Sequence, residues 1–146
     1  MVKVKIEIAY KWEKVVDDNR NFMFNIKNIK GIKKIIGKEY DTPAVYKWVF
    51  GKKVYVGETN NLRNRLYQYG EPGKSQKTNK KINKFLKESI DNNFEIIKLN
   101  DIKLNGKLLR YKLKSSFVRK LLENYLILEA IQNGDEIINR KSRKKD

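Results

Sequence analysis

Apolar and charged residues alternate through residues 2–10, with Val2, Val4, Ile6 and Ile8 sharing one side. A period of two predicts a half-buried strand. Phe22, Phe24 and Ile26 keep that period, and Ile29, Ile32, Ile35 and Ile36 then take helical spacing ahead of Gly37. The pattern predicts a strand followed by a short helix. Residues 45–50 and 54–56 are two β-rich runs joined by Gly51-Lys52, which reads as a hairpin. Thr59 or Asn60 can cap a helix from Leu62 to about Tyr69, and a Gly- and Pro-containing loop follows. Thr78 can cap a second helix over 79–92, with Ile82, Phe85, Leu86 and Ile90 facing inward. Strands over 94–99 and 108–113 flank Asn105-Gly106, the strongest short hairpin signal. Ser115 or Ser116 can cap a long helix over 117–132, closed by Asn133-Gly134, and residues 136–140 read as a last short strand. The order implies an α+β fold, a small antiparallel sheet (hairpin plus later strands) flanked by helices.

Composition narrows the chemistry. The 146 residues contain no cysteine and no histidine. Disulfides, Cys-based zinc sites, Ser-His-Asp hydrolysis and histidine-based nuclease mechanisms are therefore excluded. A general base must be Tyr, Lys, Asp, Glu or a metal-bound water. Lys and Arg total 34 against 17 acids, a formal charge of +17. A domain this basic points to a polyanion, nucleic acid first. The chain is also rich in Lys, Asn and Ile, as proteins encoded by AT-rich genomes are, and codon drift alone would push the composition this way. No apolar run is long enough to span a membrane, and the alternating N-terminus does not read as a signal peptide, so a cytoplasmic protein with no membrane partner is expected.

Gly70-Glu-Pro-Gly-Lys-Ser resembles a phosphate loop only briefly. That motif needs Gly six positions before Lys74, and position 68 is Gln. The segment reads instead as a basic loop whose Lys74, Ser75, Gln76 and Lys77 can touch a nucleic-acid backbone, joined by Lys80 and Lys81 on the following helix. The hairpin carries Tyr46 and Tyr55, and the helix after it delivers Arg63 and Arg65. Tyrosine is common in strands and exposed arginine on helices, so neither type alone indicates a site. Their joint spacing does.

Ala44-Val45-Tyr46, then Tyr55-Val56-Gly57, then Thr59, Asn61-Leu62 and Arg65 resemble the successive motifs of the GIY-YIG nuclease family. Downstream, Glu123 within Leu122-Glu-Asn-Tyr and Asn139 after Ile138 match the family's later Glu and Asn segments. The resemblance covers about residues 43–140. It departs in three places. Ala44 stands where the first Gly is usual, Tyr69 stands where many members have His, and the Asn105-Gly106 hairpin looks inserted. Glu129 lies on the same helix as Glu123 and is the odder residue by its place in the apolar stripe, but motif order favours Glu123.

The resemblance implies hydrolysis of a phosphodiester with one divalent metal, Mg²⁺ or in its place Mn²⁺, anchored by Glu123. It implies Arg65 on the phosphate, Asn139 orienting a phosphate or the metal-bearing helix, and Tyr46 as first candidate for the base with Tyr55 beside it. Nearby cations such as Lys53 and Arg65 would favour a phenolate. The expected partner is DNA, double-stranded, and a cut through both strands would call for a homodimer. Residues 1–42 read as an N-terminal extension and 43–146 as the nuclease-like domain with a basic tail. A small restriction-type or phage enzyme fits that layout. The competing reading is a non-catalytic basic nucleic-acid-binding domain that keeps the fold.

Overall fold

The computed structural model describes residues 1–15, 24–88 and 91–139. Phe22, Ile90 and the basic tail from Arg140 lie outside the described residues. Within them, β1 (Ile6–Lys14) leads to two short helices, α1 (Ile26–Lys30) and α2 (Ile32–Ile35), and a single 3-10 turn. The hairpin β2 (Ala44–Phe50) and β3 (Lys53–Thr59) follows, then α3 (Leu62–Gly70) and α4 (Lys77–Lys87). A long β4 (Asn92–Leu104), a two-residue β5 (Lys107–Leu108), α5 (Ser116–Gln132) and β6 (Glu136–Ile137) complete the chain. The strands form one sheet in the order β1-β4-β2-β3-β6, with β5 paired to the end of β4. All pairs are antiparallel except β3–β6.

Alternation along the strands builds two cores, one on each face. Tyr46, Trp48 and Phe50 of β2 meet Leu62, Leu66, Tyr69, Ile82 and Leu86 from α3 and α4. Val45 of β2 and Val54 and Val56 of β3 meet Val118, Leu122 and Leu126 of α5 on the opposite face. Helices thus cover both sides of the β2–β3 hairpin.

Several boundaries differ from the sequence pattern. The first strand starts at Ile6, which pairs with Leu104, the last residue of β4; Val2 and Val4 before it are 89% and 67% exposed, uncovered among the described residues. Of the strand expected around Phe24, Phe22 lies outside the described residues, and Phe24 and Asn25 are in no strand. Phe24 N–H donates to Asn92 Oδ1 at 3.0 Å, and Asn25 caps α1 through a reciprocal bond pair with Asn28, so the run turns into helix at once. The first turn of α3 is capped by Asn61, not Thr59 or Asn60, with Asn64 N–H donating to Asn61 Oδ1 at 2.9 Å. Helix α4 begins at Lys77, one residue before the expected cap, and no side chain caps it. The Asn105-Gly106 turn forms as expected, with φ of 50° and 82° at its centre, the pair of positive angles that a tight hairpin needs. The strand expected over 108–113 stops at Leu108. Beyond it, Arg119 Nη1 donates to the carbonyls of Leu113 (2.8 Å) and Lys114 (3.1 Å), which draws the chain away from the sheet.

Candidate active site

Strand β3 is the edge that matters. Parallel pairing with β6 covers only Lys53 and Val54. Asn139 then substitutes for a strand. Val56 N–H donates to its Oδ1 at 2.9 Å, and its Nδ2 donates to the Val56 carbonyl at 2.5 Å. The side-chain amide is thereby spent on the β3 backbone.

Tyr46, Tyr55 and Tyr69 meet on the α3 face of the hairpin. Tyr46 and Tyr69 are fully buried and their hydroxyls share a hydrogen bond of 2.5 Å. The Tyr46 and Tyr55 ring centroids are 6.2 Å apart, and the Tyr46 and Tyr69 rings 6.4 Å in an edge-on arrangement. Gly57 pairs with Tyr46 across the hairpin and lacks the Cβ that would strike it. Arg65, from the first turn of α3, hydrogen-bonds Tyr46 and Tyr69 and lies close to Tyr55.

Burial dominates the electrostatics. It pushes the Tyr46 phenol well above its ordinary range; Tyr69 and Tyr55 add to that rise and Arg65 opposes it. Tyr69 is raised for the same first cause, burial, then by Tyr55. Tyr55 is raised by burial and by the carboxylate of Glu123, against Arg65. The phenolate that neighbouring cations were expected to favour is thus opposed by desolvation, which outweighs a single guanidinium. Burial also works against the charge of Arg65, but the three phenols more than offset it and its pKa rises. Lys53 takes no part in this cluster. Its amine lies 3.9 Å from Glu136 and over the Phe85 ring.

Glu123 reaches the same place from the other face, on α5. Its carboxyl is pushed up by burial and by the neighbouring Glu58, while the Glu58 backbone N–H, Arg65 and Lys120 pull it down. Glu58 points to the α5 side and pairs with the buried Arg119, Nε to Oε2 at 3.0 Å. Among the described residues Glu123 is in no ion pair of its own. Glu129 accepts from the Tyr125 hydroxyl at 2.9 Å and raises the pKa of Tyr10, away from the phenols. Arg119 and Glu58 escape a reading of the sequence. They are 61 positions apart, and the one legible signal is an Arg in the apolar stripe of α5.

Tyr55 and Arg65 open onto a cleft of about 460 Å³ whose other wall is Gln68, Ser75, Gln76, Lys77, Thr78 and Asn79. Three of the residues expected to touch nucleic acid therefore border the phenol cluster. Gln76 Oε1 is held by Gly73 N–H (2.9 Å) and Asn79 Nδ2 (2.8 Å), and Lys80 Nζ donates to the Lys74 carbonyl at 2.5 Å. These bonds fix the loop against α4. Lys81 is exposed on α4. Arg63 is turned away, bound to Asp41 at 3.3 Å and to the Lys33 carbonyl.

Among the described residues no three acidic side chains gather as a cage for a metal. A hard cation that keeps several waters and shares phosphate oxygens needs only one or two carboxylates. The Glu123 carboxyl, raised first by burial and then by the Glu58 carboxylate beside it, and in no ion pair among the described residues, fits such an ion. No helix among the described residues is long and apolar enough to cross a membrane.

A family model, the GIY-YIG catalytic domain, matches residues 45–130. No curated protein and no solved structure matches the chain.

Proposed function

Because the chain belongs to the GIY-YIG family of nucleases, we propose that it is an endodeoxyribonuclease that hydrolyses phosphodiester bonds of duplex DNA with Mg²⁺, or Mn²⁺ in its place. The observation that carries this reading is the convergence of Tyr46, Tyr55, Tyr69 and Arg65 from one face of the sheet with Glu123 from the other.

Glu123 would hold the cation, with Glu58 adding negative charge behind it. When bound, the cation supplies positive charge to the phosphoryl oxygens and lowers the pKa of its water. Arg65, whose guanidinium borders the cleft, grips the scissile phosphate and offsets charge that develops on it. Tyr55 lines the cleft, and Tyr46 and Tyr69 continue a chain of hydrogen-bonded phenols behind it. The attacking water passes its proton to Tyr55 as Tyr55 releases its own to solvent in the cleft, so the phenol ends neutral, while Tyr46, the first candidate for the base, and Tyr69 hold that hydroxyl in place. Asn139 keeps the edge of β3 in place. Ser75, Gln76 and Lys77 flank the phosphate from the far wall, and Lys74, Lys80 and Lys81 extend the grip. Residues 1–42 act as an extension to the nuclease domain 43–146. The target is a defined site, as for a restriction-type enzyme, cut by a homodimer.

Incubation of supercoiled plasmid with the protein in Mg²⁺, and again in EDTA, tests the reading. Nicking in Mg²⁺ that is lost both in EDTA and in Glu123→Gln is expected. Plasmid left intact under every divalent ion would overturn it in favour of a non-catalytic nucleic-acid-binding domain.

A further inference from the structure

Between Asp101 and Glu123 the sequence has no acidic residue, yet Lys103, Lys107, Arg110, Lys112 and Lys114 all fall there. None of the five is in an ion pair among the described residues. The last three lie on the coil that carries the chain from β5 to α5. Leu109 and Leu113 of this coil pack on the α5 core, while Arg110, Lys112 and Lys114 are exposed. The coil is anchored from beneath. Leu109 N–H donates to the Ile102 carbonyl at 2.8 Å, and Ser115 N–H to the Lys112 carbonyl at 3.0 Å. Arg119 holds the carbonyls of Leu113 and Lys114.

The same Arg119 binds Glu58 through Nε, and Glu58 donates its backbone N–H to Glu123. The coil and the metal-binding carboxylate are therefore joined by a short run of hydrogen bonds. Beside the coil lies a groove of about 610 Å³, lined by Pro43, Ala44, Ile97, Arg110, Lys112 and Lys114 among others. Ala44 is two residues from Tyr46 on the same strand and the same face. The groove thus reaches the strand that carries Tyr46.

Unpaired cations on a backbone that is already fixed release counterions from a polyanion with no backbone segment left to order. We infer that the coil over 109–114 is a second nucleic-acid-binding surface, whose Arg110, Lys112 and Lys114 grip the phosphate backbone of duplex DNA beyond the scissile bond. The inference rests on the nuclease reading only for the identity of the partner.

Binding of a short fluorescein-labelled DNA duplex, followed by anisotropy in EDTA across a salt series, tests it. The combined Arg110→Ala, Lys112→Ala, Lys114→Ala variant should bind on the order of tenfold more weakly, and its log-log salt slope should be shallower by about 0.9 for each phosphate it no longer neutralises. A control with the exposed Lys27, Lys30 and Lys34 changed to Ala should shift much less. Each single variant should show about a third of the combined effect, which keeps the test open if the triple variant misfolds. Wild-type binding by the triple variant, an equal loss in the control, or a loss confined to duplex RNA would overturn the inference. Because the readout is binding without divalent ions, an intact plasmid in the nicking assay would sink the hydrolysis and leave this measurement decisive.

Discussion

Gly57 lies directly beneath the phenol of Tyr46: a Cβ at position 57 would stand 2.6 Å from both the Tyr46 hydroxyl oxygen and its Cζ, and 2.9 Å from the Tyr55 ring. Both neighbours are held, Tyr46 by complete burial and Tyr55 by its place in the hairpin. Gly57→Ala should therefore push the Tyr46 hydroxyl off Tyr69. Overpacking of this kind costs about 1–3 kcal/mol. A lower Tm together with lost nicking is expected, and an unchanged Tm would show that the rings move aside.

Arg65→Ala and Tyr55→Phe should abolish plasmid nicking while duplex binding in EDTA falls only modestly. Arg65 is one cation among many, so its removal should change the salt slope by about one phosphate's worth. Tyr46→Phe removes the shared hydrogen bond and leaves the packing. Cleavage near the wild-type rate in any of the three would refute its proposed part in proton or charge transfer.

Glu123 is raised because burial and Glu58 both oppose its charge. A carboxyl whose folded pKa exceeds its unfolded value favours folding below about pH 4.5 and loses that contribution as pH rises through the folded value. At neutral pH the ionised side chain is thus a liability, and Glu123→Gln should raise Tm there while removing cleavage. Mg²⁺ should stabilise the wild type, by about 2.7 kcal/mol at a hundredfold excess over Kd, and leave Glu123→Gln unmoved. Equal stabilisation of both proteins would place the cation elsewhere.

The buried phenols set an alkaline limit. Tyr46 and Tyr69 hold their protons more tightly in the native state than in the unfolded chain. Their contribution is complete below about pH 10, the unfolded value, and is lost as pH rises toward the folded values. Unfolding followed by circular dichroism should coincide with the late part of the tyrosinate absorbance change. Full tyrosinate formation in a still-folded protein would contradict that coupling.

Asn139 should matter for stability before chemistry. Asn139→Ala leaves Val56 N–H and carbonyl without their side-chain partners, a loss of about 1–3 kcal/mol. Below the lowered Tm, single-turnover cleavage should retain most of its rate. A large rate loss with Tm unchanged would instead give Asn139 a direct contact with substrate.

The hairpin, α3 and α5 are legible in the sequence because their punctuation is local: Gly51 in the turn, a run of Thr and Asn ahead of Leu62, Ser115 ahead of α5. The α+β arrangement follows from their order. What stays hidden depends on residues far apart in sequence. Val2 and Val4 alternate like a strand but lie beyond the end of their partner strand and stay exposed. Phe24 is taken out of a strand by Asn92, 68 positions away. The segment after Leu108 has a β-forming pattern, yet the Arg119 bonds to its last carbonyls take it off the sheet. In the site, motif spacing picks out Tyr46, Tyr55 and Arg65, which the fold brings together with Glu123. Arg63 fits the same helix but turns to Asp41, because its side chain falls on the opposite flank of α3. The expected phenol shift has the wrong sign, since sequence reveals neighbouring charge more readily than depth of burial.

Tyr46, Tyr55, Tyr69 and Arg65 belong to the layer built on α3 and α4, whereas Glu123 belongs to the layer built on α5. Neither layer alone assembles the set. Turnover therefore reports on the packing of both faces of the sheet at once. A loosened packing in either core should silence the enzyme while most of its secondary structure persists, so the activity works as a built-in check on completed folding.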